Sequence, residues 1–303
     1  MGSHVLVSIK IARTDATLGA YISNVDLSRI SDSLAQALRE AFHEFGVLIF
    51  PDQHLSAESQ EAFGQVFGRI EYLDPKKTRK SVYISNTLNE GKVMERSKYS
   101  KSLLRGNEGW HTDSSYMPLS AKASCLSAVK VPKDGGGTGW ADMRAAYAAL
   151  DESTRRKIQD LSALHSLYYS QSKIGHIGKT GESYGFHTRG APLRPLVKIH
   201  PETKRKSLYI GRHAYSIPGM DEDEARKLLN ELLDFACQPP RIYEHKWNVG
   251  DLAIWDNRCV LHRARPYDVT EPRVLRHVRI AGEPESESAP TQRDVRASSF
   301  EAA

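Results

Sequence analysis

A chain of 303 residues, 40% of them hydrophobic and 26% charged, can bury a large core without disulfide or metal staples, and its longest apolar runs, such as Val47-Leu48-Ile49-Phe50, are far too short to span a bilayer. Three cysteines, Cys125, Cys237 and Cys259, are few, odd in number and widely spaced, which excludes a disulfide framework or a CxxC zinc module and points to a reducing cytoplasm. The formal net charge of +5 comes from scattered basic residues; the densest cluster, Lys204-Arg205-Lys206, follows a Pro-Glu-Thr turn and reads as a solvated hairpin tip rather than a nucleic-acid surface.

In chain order, His4 to Ala12 alternates like a strand. Ser31 precedes Leu34, Ala37, Leu38, Ala41, Phe42 and Phe45 at helical spacing, and Gly46 ends that pattern. Residues 47–50 predict a buried strand, Ser56 opens a second helix through Phe67, and residues 82–85 predict another strand. Residues 87–109 are polar and aperiodic, and a connection this long is a lid or binding loop, with Lys101 and Arg105 as cations it could carry to a pocket. Strands then dominate, over 122–130, 162–169, 194–200, 206–211, 241–247, 251–256 and 273–281. Two helices interrupt them, one from Asp142 to Leu161 and one from Asp221 to Ala236, whose opening acids suit a helix N-terminus. Strands and helices do not alternate regularly, so the pattern predicts a mostly β fold: a sandwich or jelly-roll core with helices packed outside. One domain is expected over residues 1–282, with the polar stretch 283–303 as a disordered tail.

The chemistry gathers in a few short segments. In Trp110-His111-Thr112-Asp113, strand periodicity would turn His111 and Asp113 to one face, an imidazole beside a carboxylate. His262, in Trp255-Asp256-Asn257-Arg258-Cys259-Val260-Leu261-His262, is the third ligand candidate. Two His and one carboxylate on one face of an ion leave the other positions open, as iron(II) oxygenases require. Taken singly, an HxD tripeptide or one histidine is as readily a structural feature. Arg273 opens the strand Arg273-Val274-Leu275-Arg276-His277-Val278-Arg279, whose period places Arg273, Leu275, His277 and Arg279 on one face and Arg276 on the other. If that face looks inward, Arg273 offers a fork for a carboxylate; otherwise these are solvated arginines of an edge strand. Gly135-Gly136-Gly137-Thr138-Gly139-Trp140 is either a simple glycine turn or a tight connection delivering Thr138 and Trp140 to a pocket.

These pieces, in this order, resemble the taurine dioxygenase / 2,4-dichlorophenoxyacetate dioxygenase family over most of the chain, from Thr17 to Ala281. The marks are Leu-Gly-Ala (18–20), Val-Leu-Ile-Phe-Pro-Asp-Gln (47–53), Trp-His-Thr-Asp (110–113), Gly-Gly-Thr-Gly-Trp-Ala-Asp (136–142), Trp-Asp-Asn-Arg-Cys-Val-Leu-His-Arg (255–263) and Arg273. Within the family the closer likeness is to bacterial aryloxyalkanoate dioxygenases, through segments 165–173, 192–203, 210–214 and 217–221.

The resemblance implies a double-stranded β-helix (jelly-roll, cupin-like) core with helical insertions. It implies that His111, Asp113 and His262 bind Fe(II), that Thr138 and Arg273, with Trp140 beside them, hold 2-oxoglutarate, and that Asn107 lies at the substrate. Taurine-type members carry a second substrate-binding Arg where this chain has His277. Strand parity therefore favours Arg279, helped by His277, as the anchor of the substrate acid. The implied reaction consumes 2-oxoglutarate and O2, releases succinate and CO2, and hydroxylates a small carboxylic acid. For an aryloxyalkanoate, as in herbicide degradation, the product would collapse to a phenol and a 2-oxo acid. Alternatives are an alkylsulfonate, such as taurine, or an alkylsulfate as substrate and, from another class, a zinc hydrolase with the same three ligands. No nucleic-acid or membrane partner is expected, and a homo-oligomer is.

Overall fold

The computed structural model describes residues 9–74, 78–88, 92–99 and 103–298. It is mostly sheet with helices added around it. Seven strands form the largest sheet, in the spatial order Lys10–Arg13, Ala20–Ser23, Val47–Phe50, Leu252–Asp256, Ala121–Lys130, Val274–Ala281 and Ser81–Ser85. Smaller sheets comprise Ile242–His245, Thr138–Asp142 and Val260–Ala264, and Ala214–Ser216, Ser162–His165, Ala191–Pro195 and Thr291–Gln292. Val197–Ile199 and Lys206–Leu208 form a hairpin whose connection carries the basic cluster.

The large sheet is covered on both faces, which is why Val47–Phe50 and Leu252–Asp256 are buried at every residue rather than alternating. Leu48, Phe50, Ile254 and Val278 pack on one side against Leu38, Phe42 and Phe45 of helix Asp32–Phe45 and Phe63 of helix Ala57–Gln65. Val47, Ile49, Leu126, Trp255 and Leu275 face the other way, toward Trp140 and Val260 of the three-stranded sheet. The functional cavity opens within this second interface. Both helices start as their sequences predict: Ser31 Oγ accepts from Leu34 N and Ser56 Oγ from Ser59 N, and Gly46 ends the first at φ 71°, a left-handed conformation that glycine adopts freely.

Three expectations change. The strand expected over 162–169 stops at His165, because Ser166 caps a helix, Leu167–Ser172, by accepting from Tyr169 N. The helix expected over 142–161 is two, Met143–Ala149 and Glu152–Ile158: Leu150 is extended, and Asp151 starts a new N-terminus by accepting from Thr154 N. Of the strand expected over His4 to Ala12, the described part forms the strand Lys10–Arg13, and residues 1–8 lie outside the described residues.

The stretch from Glu283 is not a free tail up to residue 298. The Glu287 carboxylate is buried against the Lys198 ammonium at 2.7 Å, Arg194 Nη1 donates to Glu287 O at 3.1 Å, and Ser166 Oγ donates to buried Asp294. Its low hydrophobicity hid this, since it docks through polar contacts rather than an apolar stripe. Among the described residues no helix is long and apolar enough to cross a membrane.

Candidate active site

Two short backbone segments build the centre. Residue 111 forms an antiparallel bridge with residue 262, each donating its N–H to the other's carbonyl, at 2.9 and 2.7 Å. The imidazole rings of His111 and His262 are thereby held with centroids 4.1 Å apart. Asp113, two residues on, brings its carboxylate Oδ2 to 3.7 Å from His262 Nε2. One ligand atom from each of these three buried residues lies within 4.8 Å of the other two. His111 Nδ1 sits 2.8 Å from Gly109 O, and donating there leaves the Nε2 lone pair for an ion.

The carboxylate is oriented by a buried chain of donors. Trp255 Nε1 donates to Asn257 Oδ1 (3.0 Å), Asn257 Nδ2 to Ser124 Oγ (2.9 Å), and Ser124 Oγ to Asp113 Oδ2 (2.5 Å). Burial alone would raise the Asp113 carboxyl, but the Arg279 guanidinium beside it holds it well below the usual carboxylate range. Burial keeps His111 and His262 neutral by lowering both imidazoles. Two neutral imidazoles and an ionised carboxylate are the protonation states that a divalent ion of borderline hardness requires, so the donor set fits iron(II).

A second cluster, His200, Asp256 and Cys259, fits a metal poorly. Both oxygens of Asp256 already accept from Arg258, at 2.8 and 2.7 Å, and burial pushes the Cys259 thiol up, away from the thiolate.

The three residues open onto a cavity of about 220 Å3. Strand parity holds across it: Arg273, Leu275, His277 and Arg279 all line the cavity, whereas Arg276 turns to the other face, donating from Nε to Gln60 Oε1 at 2.7 Å. Arg273 is 5% exposed and donates from Nε to Gly136 O at 2.7 Å. Gly136 has φ +66°, and a Cβ there would meet Arg273 Cδ at 3.2 Å, so glycine serves both the turn and the close approach. Thr138 and Asn107 line the cavity, and Thr138 Oγ1 accepts from Trp247 Nε1 at 3.0 Å.

Arg279 Nη2 is 3.4 Å from Asp113 Oδ1, and its guanidinium carbon lies 5.1 Å from the centre of the Tyr184 ring. The Tyr184 hydroxyl donates to Glu71, whose carboxyl is raised by burial. His277 Nε2 is 3.7 Å from Asp113 Oδ2.

Two expected contributors do not reach the cavity, and a third lies outside the described residues. Trp140 is fully buried behind it, packed on Trp255 with ring centroids 5.9 Å apart, because its position two residues beyond Thr138 is one step deeper between the sheets. Arg105 is exposed and paired with Glu108 on its own turn. Lys101 is the third. Tyr116, Gln171, Tyr184, Arg212 and His213 line the cavity without having been assigned a role from sequence. Gln171, Arg212 and His213 sit in segments that carry family likeness, Tyr116 and Tyr184 do not, and only distant pairing brings the five together.

Comparison with known proteins follows the same lines. The family model "Taurine catabolism dioxygenase TauD, TfdA family" matches residues 10–279. The chain is 50% identical to an (S)-phenoxypropionate/alpha-ketoglutarate-dioxygenase of Sphingobium herbicidovorans, over 92% of this chain and 97% of that one. It is 38% identical to an alpha-ketoglutarate-dependent 2,4-dichlorophenoxyacetate dioxygenase of Cupriavidus pinatubonensis, over 85% and 92%. Its fold is similar to the crystal structure of AAD-2 in complex with Mn(II) and N-oxalylglycine, with TM-score 0.82, 37% identity and coverage of 94% and 100%.

Proposed function

The chain belongs to the TauD, TfdA dioxygenase family, and we propose that it cleaves aryloxyalkanoates of the phenoxypropionate or phenoxyacetate type to a phenol and a 2-oxo acid. Its enzyme class follows from membership: a 2-oxoglutarate-dependent dioxygenase working with iron(II), 2-oxoglutarate and O2. The sheets are read as the walls of a double-stranded β-helix. A reducing cytoplasm suits a ferrous enzyme with three free cysteines.

One observation carries the reading. The triad, Thr138 and Arg273 line the same cavity, whose remaining wall includes Leu73, Val82, Tyr116, Leu167 and Tyr184. In this arrangement His111, Asp113 and His262 hold the metal, and Arg273 and Thr138 take the carboxylate of 2-oxoglutarate remote from it. The apolar wall receives an aromatic ring. When bound, iron(II) with 2-oxoglutarate activates oxygen to hydroxylate the substrate carbon, releasing succinate and CO2.

The chain's own residues do the positioning. Ser124 and Asn257 keep the Asp113 carboxylate aimed, and Gly109 O fixes the His111 tautomer. The enclosed wall excludes water from the reacting carbon. Hydroxylation beside the ether oxygen gives a hemiketal or hemiacetal that expels the phenol without further help.

The deciding experiment incubates purified enzyme with iron(II), ascorbate and 2-oxoglutarate, and follows succinate and phenol across phenoxy acids, alkylsulfates and sulfonates. Phenol and succinate formed together from a phenoxy acid are expected. Succinate stimulated only by an alkylsulfate or sulfonate would replace the substrate class.

A further inference from the structure

The cavity contains three guanidinium groups, those of Arg212, Arg273 and Arg279. Asp113 lines it too, and Glu71 stands directly behind Tyr184. Bound iron(II) and the 2-oxoglutarate dianion would cancel each other. Against these two acidic groups, the three guanidinium groups then leave at least one positive charge, and a buried charge without a counterion is strongly unfavourable. Arg279 is paired with Asp113 at 3.4 Å, and both Asp113 and Glu71 help to hold its charge. Arg273 stands with Thr138 at the 2-oxoglutarate end. Arg212 remains.

Arg212 is fastened beside the first metal ligand, since its backbone N–H donates to Trp110 O at 2.9 Å. Its Nη1 donates to Gly106 O, and its Nη2 to Ser170 O at 2.6 Å. Both acceptors are neutral carbonyls, and no carboxylate among the described residues forms an ion pair with it. Burial accordingly lowers its pKa to about 10, with the Tyr116 hydroxyl as the one opposing influence, which leaves it charged at neutral pH. A guanidinium carries five N–H donors, so three remain beyond the two carbonyl contacts.

Gln171 is adjacent: its Nε2 and Arg212 Nη1 both crowd the same side of Gly106. Gln171 is 2% exposed, lines the cavity, and its Oε1 has no partner among the described residues. An amide turned over at that spot presents N–H instead. A cation and a buried amide with one unpartnered end at one place are what a carboxylate ligand would complete.

We infer that Arg212, assisted by Gln171, anchors the acid group of the substrate, and that Arg279 instead serves the metal-binding carboxylate. The inference rests on the aryloxyalkanoate reading for the identity of the acid, but its charge argument holds for any monoanionic substrate.

The test titrates 2-phenoxypropionate, its neutral amide and a linear alkylsulfate calorimetrically into full-length enzyme loaded anaerobically with manganese(II) and 2-oxoglutarate. Removing one partner of a desolvated charge pair weakens binding by about 30-fold or more. Arg212→Gln should lose at least that much for the acid while leaving the amide near its wild-type affinity, and Arg212→Lys should fall between. Thermal melting of both variants separates this from misfolding, with the charge-conserving Lys variant deciding if Gln melts early. Wild-type affinity for the acid in either folded variant overturns the anchor, as does equal binding of acid and amide by the wild type. Acid binding that depends on Arg212 but yields no phenol aerobically would sink the ether-cleavage reading and keep the anchor. Binding of the alkylsulfate alone, weakened in Arg212→Gln, would change the substrate class and keep the anchor.

Discussion

His111 and His262 exchange backbone hydrogen bonds in both directions, at 2.9 and 2.7 Å, so the first and last residues of the proposed metal triad are locked to one another before any ion binds. Asp113 is carried by the same segment as His111, and the relative placement of all three donors is a property of one short backbone pairing. A centre preorganised in this way needs little rearrangement to accept metal, and its precision then depends on what aims the carboxylate.

Ser124 is the aiming residue in contact with Asp113, at 2.5 Å. Ser124→Ala should weaken iron(II) or manganese(II) binding by about 10- to 100-fold, the usual cost of removing a group that orients a metal ligand. Equilibrium dialysis against metal, with the fold checked by circular dichroism, measures this. Unchanged metal affinity would mean that the Asp113 carboxylate is held by Arg279 and His277 alone.

Arg273 lines the same cavity as the metal set and is proposed to pair with 2-oxoglutarate. Arg273→Ala should raise the Michaelis constant for 2-oxoglutarate by one to a few orders of magnitude, following the loss of about 2–5 kcal/mol for a buried pair. Arg276→Leu, from the other face of the strand, should leave that constant alone and lower stability instead, by about 1–3 kcal/mol, because Gln60 Oε1 loses a buried donor. Succinate formation at varied 2-oxoglutarate and urea unfolding separate the two effects.

Glu287 ties the C-terminal segment to the body through Lys198 and Ser120, at 2.7 and 2.8 Å. Glu287→Ala leaves the buried ammonium of Lys198 without its counterion, and a loss of about 3–5 kcal/mol in unfolding free energy is expected. Chemical denaturation reads this directly. A variant as stable as the wild type would show that the Glu287–Lys198 pair adds nothing to the fold.

His165 is fully buried, and neither ring nitrogen has a partner among the described residues. Burial, with the Arg194 charge nearby, lowers its pKa from 6.5 to about 3. The unfolded chain therefore binds a proton that the folded chain refuses between those values. The contribution of His165 is fully present above about pH 6.5. Stability falls as pH drops toward 3, by about 1 kcal/mol per pH unit. His165→Leu removes no hydrogen bond and should flatten that part of the stability–pH curve. Thermal melts from pH 7 to pH 4 test this, and parallel curves for the two proteins would place the acid sensitivity elsewhere.

Much of this molecule was legible in its order of residues, for a local reason. Covalent geometry sets the two-residue period of a strand, so Arg273, Leu275, His277 and Arg279 could be put on one face and Arg276 on the other without knowing what they faced. Ser31, Ser56 and Asp221 announce helix starts because their side chains cap within three residues. The same range of influence puts His111 and Asp113 two residues apart on one segment, whereas His262 joins them only through the bridge between residues 111 and 262.

Other features were decided only when distant segments met. Thr138 and Trp140 share a strand face, yet the depth of packing against Trp255 admits one to the cavity and hides the other. The polar stretch after Glu283 looked free because its binding surface, Lys198 and Arg194, lies on other strands. Charge allocation was the least legible of all. That Arg279 faces Asp113 while Arg212, among the described residues, hydrogen-bonds to carbonyl oxygens and to no carboxylate depends on which groups each guanidinium finds within a few ångströms, and the falloff of charge interactions with distance makes that a property of the folded chain alone.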